Sequence, residues 1–151
     1  MRVIIADTSC LIALDKIGKL ELLHKVLDKI EVTTAVKAEF GYPLATWIVV
    51  RDPKNSILIN HLNQKLDLGE STAIVLAIET QDSLLIIDEK KGRSVAKEMR
   101  VEIIGTLKFI LLAKRKGAIP SVLNLVQELN AAGFRFSKEI VRSILMEAGE
   151  N

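Results

Sequence analysis

Two apolar runs of the sequence each end in an aspartate. The run VIIA precedes Asp7, and the run LLII precedes Asp88. If both runs are strands of one parallel sheet, their carboxyl ends lie at the same edge, where α/β proteins bind ligands. Carboxylates that lie close together raise one another's pKa, and a hard divalent cation such as Mg²⁺ or Mn²⁺ removes that cost. The pair therefore indicates a metal site, whereas either aspartate alone is also explained as the N-cap of the next helix.

Two glutamates stand where helical geometry would turn them toward the same edge. Glu39 lies in the run AVKAEF, and Glu70 opens the helical run LGESTAIVLA directly after Gly69. Each is also explained as a solvated surface residue, and Glu70 additionally suits the positive N-terminus of a helix. Spacing alone leaves the role of both glutamates open.

Short β-rich runs alternate with helical patterns as far as residue 116, which predicts βαβ units and a parallel sheet. Fully apolar runs are typical of strands that helices cover on both faces. The pattern predicts strands over 2–6, 30–34, 47–50, 84–87 and 101–104. It predicts helices over 11–14, 20–27, 36–40, 55–65, 69–80, 90–100 and 107–116.

The last part of the chain differs, because its pattern predicts two helices, over 120–130 and 137–147, without a strand between them. Pro120 suits a first helical turn, Gly133 a C-terminal cap and Ser137 an N-cap. We therefore expect a core over residues 1–118 and a helical extension over 119–151 that packs on it.

Composition places the chain among single-domain proteins of the cytoplasm. Its 151 residues fall in the range of roughly 100–200 that one domain occupies. No apolar run approaches the roughly 18 residues that a membrane span needs, and the N-terminus lacks the pattern of a signal peptide. Cys10 is the only cysteine, which excludes internal disulfides and fits a reducing compartment. A thiol nucleophile has little support, because His24 and His61 lie in helical runs remote in sequence.

Positive charge is concentrated in one stretch of the chain. Residues 86–116 hold nine basic and four acidic residues, so that stretch is +5 and the remainder is −3. A basic face attracts a polyanion before specific contacts form, although two solvated helix surfaces explain the same charges.

Several segments, in order along nearly the whole chain, resemble the PIN-domain family. The resemblance is to a branch of unknown specific function that is similar to the VapC-type toxins. Its segments are DTSCLIAL (7–14), Glu39, GESTAIVLA (69–77), IIDEKKGR (86–93), GTLKFILLAKRKG (105–117) and the tail AAGFRFSKEIVRSIL (131–145).

The resemblance implies a three-layer α/β/α sandwich with a mainly parallel central sheet. It also implies a site for Mg²⁺ or Mn²⁺ that is built from carboxylates and supported by hydroxyl groups. The expected catalytic carboxylates are Asp7, Glu39, Glu70 and Asp88, and the expected supporting hydroxyls are those of Ser9 and Thr106.

The chain departs from the branch's pattern at two positions. Glu89 replaces the second aspartate after the strand, so either Asp88 or Glu89 can be the acid that contacts the metal. Gly92 stands where alanine is usual and should loosen its helix. The expected metal ligands are Asp7, Asp88, Glu70 and Glu89.

The activity that the resemblance implies is metal-dependent hydrolysis of RNA phosphodiester bonds. Asp7 and Asp88 would bind the metal, while Glu39 and Glu70 would complete its shell or orient the attacking water. The cations after Asp88, namely Lys90, Lys91 and Arg93, would hold the phosphates of the RNA. The resemblance further implies the toxin of a toxin–antitoxin pair, with an antitoxin protein as partner, and a homodimer.

Three other functions are alternatives to the nuclease. A receiver-like phosphoacceptor domain needs paired acids after the first strand, but Asp7 is followed by threonine. A haloacid-dehalogenase-type phosphatase needs D-x-D there, and position 9 is serine. The stronger alternative is a catalytically weak PIN-like interaction module that binds RNA or a partner protein without turnover.

Overall fold

A five-stranded, wholly parallel sheet forms the centre of the computed structural model, which describes residues 2–150. The strand order is β3-β2-β1-β4-β5. The predicted α/β class and parallel sheet are therefore confirmed. The strands are β1 (Val3–Ala6), β2 (Ile30–Val32), β3 (Ile48–Val50), β4 (Ser83–Ile86) and β5 (Ile103–Ile104).

Helices connect successive strands, and three more follow β5 in the described part of the chain. They are α1 (Thr8–Lys16), α2 (Glu21–Leu27), α3 (Thr34–Phe40), α4 (Ser56–Leu62), α5 (Leu68–Glu79), α6 (Lys90–Glu98), α7 (Thr106–Arg115), α8 (Val122–Ala131) and α9 (Lys138–Glu147).

The apolar strand runs supply two separate cores, one on each face of the sheet. Ile4 and Ala6 face the core that α1, α2, α3, α7, α8 and α9 complete. Ile5 lies between them in sequence and faces the other core, with α4, α5 and α6. Neighbouring β4 repeats the alternation, because successive side chains of a strand point to opposite faces. The result is the three-layer sandwich expected from the resemblance.

Strand β1 lies at the point where the strand order reverses. Its register pairs Ile4 with Ile30 of β2 on one side and with Leu84 of β4 on the other. The backbone N–H of Asp7 then donates to the carbonyl of Ile86 at 3.0 Å, so β1 and β4 end side by side. Such a switch point opens a crevice beyond the carboxyl ends of the strands.

The C-terminal helices pack on the same core as α1 and α7. Ser137 caps α9 by accepting from the N–H of Ile140, and Gly133 follows α8 with a positive φ of 98°. The placement of Pro120 in a first helical turn was wrong. Helix α8 begins at Val122, because the hydroxyl of Ser121 caps it and so fixes its start two residues later. The division of the chain at residues 118 and 119 stays a prediction.

Some predicted strands are shorter than expected, also because of capping. Strand β2 stops at Val32, since the Thr33 hydroxyl accepts from the N–H of Val36 and starts α3. Strand β5 begins only at Ile103, since the N–H of Val101 bonds the carbonyl of Ala96 at the end of α6. Within residues 2–150, no helix combines the length and the apolar character that crossing a membrane requires.

Candidate metal-binding site

Carboxylates from four parts of the chain line one pocket at the switch point, with a volume of about 310 Å³. We call it the acidic pocket. The hydroxyl-bearing residues Thr8 and Ser9 lie beside these carboxylates. Its acidic residues are Asp7, Glu39, Asp67, Glu70 and Glu89.

Asp7 lies at the N-cap position of α1, but its side chain makes no capping hydrogen bond. The residue is only 4% exposed, and its Oδ1 has no hydrogen-bond partner among the described residues. The pKa of Asp7 is raised to about 7, chiefly by burial and further by the negative charges of Asp67, Glu39 and Asp88, while a hydrogen bond from the backbone of Thr8 opposes the rise. The helix-cap explanation therefore does not account for Asp7.

Glu39 is held by two donors from neighbouring helices. Its Oε1 accepts from the Thr8 hydroxyl at 2.6 Å, and its Oε2 accepts from the N–H of Gly69 at 3.0 Å. A Cβ on Gly69 would lie 2.7 Å from the carboxylate carbon of Glu39. Glycine at position 69 leaves room for the Glu39 carboxylate. The two hydrogen bonds of that carboxylate connect α3 to the first turns of α1 and α5.

Glu70 forms a capping box with Asp67 at the start of α5. The Glu70 N–H donates to Asp67 Oδ1 at 2.7 Å, and the Asp67 N–H donates back to Glu70 Oε1 at 3.2 Å. Glu70 is 6% exposed, and burial, followed by the charge of Asp67, raises its pKa to about 7. Gly92 allows this packing, since a Cβ there would lie 2.8 Å from Ile87 Cδ1 and 3.1 Å from Glu70 Oε2.

Glu89 and Asp88 are consecutive but serve different helices. Glu89 caps α6 by accepting from the N–H of Gly92 at 2.8 Å, and this bond lowers the pKa of Glu89. Asp88 instead accepts from the N–H of Thr106 at 2.8 Å and from the Thr106 hydroxyl, so it caps α7. The first N–H groups of a helix lack partners within the helix, and Asp88 satisfies one of them.

Asp88 lines a second, larger cavity of about 810 Å³, next to the acidic pocket. We call it the basic cleft, after the cations Lys90, Arg93, Lys97, Lys108 and Arg135 that line it. Of the four carboxylates expected to act together, three (Asp7, Glu39 and Glu70) thus line the acidic pocket, and Asp88 stands in the adjoining cleft.

The two hydroxyl groups expected to support the metal site lie in different places. Ser9 lines the acidic pocket, and its buried Oγ, like Asp7 Oδ1, has no partner among the described residues. Thr106 is fully buried and serves Asp88. Within residues 2–150, no three histidine, cysteine, aspartate or glutamate side chains converge closely enough to enclose a metal ion as they stand.

Comparison with known families agrees with this arrangement. A family model described as a PIN domain matches residues 3–150. The chain belongs to the PIN-domain family. PIN domains are generally nucleases, so the fold is of a nuclease type. Neither the curated proteins nor the solved structures include a significant match.

Sequence reasoning about this PIN domain missed two residues of the pocket. Asp67 was not singled out, although the run DLGE places it three residues before Glu70, as a capping box requires. Gly69 was noted only as the residue before Glu70. Its close contact with Glu39 joins residues thirty positions apart, so no local pattern could have indicated it.

The cations expected to hold RNA separate into two places. Lys90 and Arg93 line the basic cleft, and Arg93 Nη1 donates to the carbonyl of Ile87 at 2.8 Å. Lys91 is exposed on α6, where its charge helps to lower the pKa of Glu89.

Cys10 is fully buried and burial raises its pKa, so this PIN domain has no reactive thiolate there.

Proposed function

We propose that this PIN domain is a ribonuclease that hydrolyses RNA phosphodiester bonds with Mg²⁺ or Mn²⁺ in the acidic pocket. The observation that carries the proposal is the condition of Asp7. Its carboxylate is buried at the switch point, one of its oxygens has no hydrogen-bond partner within residues 2–150, and other carboxylates surround it. A buried carboxylate in such surroundings is unfavourable unless a cation offsets its charge.

The donors in the pocket suit a hard cation. All of them are carboxylate or hydroxyl oxygens, which Mg²⁺ and Mn²⁺ prefer over nitrogen and sulfur ligands. Asp7 and Ser9, each with a buried oxygen that no described residue bonds, lie two residues apart at the start of α1. We assign the metal to Asp7, Glu70 and Glu89, with Asp88 joining them from the adjoining cleft.

The remaining residues would prepare the substrate and the water. A bound divalent ion supplies a Lewis acid that activates water and offsets charge on the phosphate. Glu39, fixed by Thr8 and Gly69, would orient the attacking water with its remaining lone pairs. Lys90, Lys91 and Arg93 would hold the phosphates that flank the cut.

A more specific role is the toxin of a toxin–antitoxin pair, acting in the cytoplasm as a homodimer. Support for it comes only from the resemblance of the segments around Asp7, Gly69 and Gly105 to the VapC-type branch. Expression of the wild-type chain in a bacterial host should arrest growth, and expression of Asp7→Asn should not. Rescue by the product of an adjacent reading frame would identify the antitoxin, and sedimentation of the purified chain would test the dimer.

One observation favours the alternative, a PIN-like module that binds RNA or a partner protein without turnover. Within the described residues, the carboxylates do not already converge as a complete metal shell. Glu39 and Asp88 are both engaged by donors of the protein itself. In this alternative, the acidic pocket would bind a metal weakly or not at all.

The two functions differ in a direct assay. A labelled RNA pool is incubated with purified protein in Mn²⁺, Mg²⁺ or EDTA, beside Asp7→Asn and the exposed control Asp15→Asn. The proposal expects cleavage in Mn²⁺ or Mg²⁺ that EDTA and Asp7→Asn abolish and that Asp15→Asn preserves. Absence of cleavage, together with absence of Mn²⁺ binding by calorimetry, would overturn it and leave the interaction module.

A further inference from the structure

The basic cleft combines uncompensated positive charge with an apolar floor. Within residues 2–150, Lys90, Lys97 and Arg135 make no ion pair or side-chain hydrogen bond, although all three line the cleft. Lys108, by contrast, lies 3.1 Å from Glu147. The free cations stand around apolar side chains from α7, α9 and the segment before α9, namely Leu107, Phe136, Ile140 and Ile144.

The apolar part of the cleft is accessible from outside. Ile140 is 53% exposed and Phe136 is half-buried, whereas Ile144, one turn further along the same face of α9, is buried at the base of the cleft. The cleft volume of about 810 Å³ lies within the range of roughly 300–1,000 Å³ that small-ligand sites occupy. A group of nucleotide size therefore fits between the cations and the floor.

A single nucleic-acid strand matches both features of the cleft. Its phosphates complement the free cations, and the faces of its bases stack on aromatic and apolar side chains. Among residues 2–150, Asp88 is the one carboxylate that lines the cleft, and it is satisfied by Thr106. Asp88 also marks the border with the acidic pocket, because Glu89 beside it lines that pocket. A strand in the cleft would therefore continue toward the candidate site of cleavage.

We propose that the basic cleft is a subsite for unpaired nucleotides of the RNA strand that the acidic pocket cuts. Lys97 and Arg135 bind phosphates, and Phe136 provides the surface on which a base stacks. This inference rests on the proposed nuclease function. It adds to that function a subsite beside the C-terminal helices, which duplex RNA would not occupy because bases inside a duplex are already stacked and cannot reach Phe136. The C-terminal helices are thereby part of the substrate site.

Equilibrium binding in EDTA tests the subsite without turnover. The probe is a labelled single-stranded RNA oligonucleotide, alone or annealed to its complement, and the readout is fluorescence anisotropy across a salt series. Phe136→Leu is paired with Phe134→Leu, because both rings are half-buried against the same core but only Phe136 lines the cleft. Arg135→Gln is paired with Arg142→Gln, which removes an exposed charge outside the cleft.

The expected results differ between the two variants. Phe136→Leu should weaken single-strand binding about ten-fold at every salt concentration, because it removes one stacked base. Arg135→Gln should weaken binding and also reduce the slope of log K against log salt by about 0.7, because one phosphate contact is lost. The controls Phe134→Leu and Arg142→Gln should bind like the wild type, and the duplex should bind more weakly than the single strand.

Contrary outcomes separate this inference from the nuclease proposal. Metal-dependent cleavage with wild-type RNA affinity in Phe136→Leu and Arg135→Gln would overturn the subsite and leave the nuclease intact. Equal affinity for duplex and single strand would also overturn it. A dimer that dissociates in Ile140→Ser, with RNA affinity unchanged, would assign the cleft to a second copy of the chain instead. Subsite binding in EDTA without cleavage in any metal would contradict only the nuclease.

Discussion

Replacing Asp7 by asparagine should stabilise the metal-free protein above neutral pH, although the same change should abolish activity. Asp7 has its pKa raised from 3.8 to about 7 by burial and by the charges of Asp67, Glu39 and Asp88. A carboxyl whose folded pKa is raised contributes stability below its unfolded pKa, and that contribution is lost as pH rises through the folded value. The wild type therefore loses stability between about pH 4 and pH 7, relative to a variant that cannot ionise there.

The size of the effect follows from the shift. One pKa unit corresponds to about 1.36 kcal/mol. The raised pKa of Asp7 therefore lowers the free energy of unfolding of the wild type by at most about 4 kcal/mol at pH 8. Glu70 has a raised pKa in the same pocket and shares part of the repulsion, so we expect a gain of about 2–4 kcal/mol. A chain of this length gains roughly 2–4 °C in Tm for each kcal/mol.

The assay is thermal and urea unfolding of wild type, Asp7→Asn and the exposed control Asp15→Asn in EDTA, from pH 5 to pH 8. The gain of Asp7→Asn should be smaller at pH 5 than at pH 8 and should level off above about pH 7, whereas Asp15→Asn should stay within about 0.5 kcal/mol of wild type. Saturating Mn²⁺ should stabilise the wild type and leave Asp7→Asn unchanged. A gain that does not vary with pH, or a loss of stability at pH 8, would refute the reasoning about buried charge.

Three further predictions test other contacts. Gly69→Ala should destabilise the protein by about 1–3 kcal/mol in urea unfolding and weaken Mn²⁺ binding by calorimetry, because the new Cβ displaces the Glu39 carboxylate; wild-type stability would contradict this. Burial opposes ionisation of Glu150, but the Lys114 ammonium and the N–H groups that open α8 outweigh it and lower its pKa to about 2. Glu150→Gln should therefore cost about 1–2 kcal/mol at pH 7, and the cost should shrink as pH falls from about 4.5 toward 2, as unfolding across that range would measure. Cys10→Ala should retain metal-dependent RNA cleavage, since the buried thiol takes no part in it. Loss of cleavage in a folded variant would instead support a mechanism in which the Cys10 thiol is the nucleophile.

The sequence determined the elements of the fold, because their signals are local. The runs VIIA and LLII are apolar at every position, which is typical of strands that are covered on both faces. Ser137 was predicted and found as an N-cap, since a hydroxyl needs only the N–H groups of the next turn. The wrong prediction that α8 starts at Pro120 also has a local cause, because Ser121 beside it is the better N-cap.

Only the tertiary structure decided which acids share a pocket. Asp88 and Glu89 are adjacent in sequence, yet one caps α7 across eighteen residues and the other caps α6 directly after it. Gly69 and Glu39 likewise meet because α5 and α3 pack together at the end of the sheet. Periodicity and capping act over one or two helical turns. The direction in which a carboxylate points depends instead on donors that the packed helices bring from distant parts of the chain.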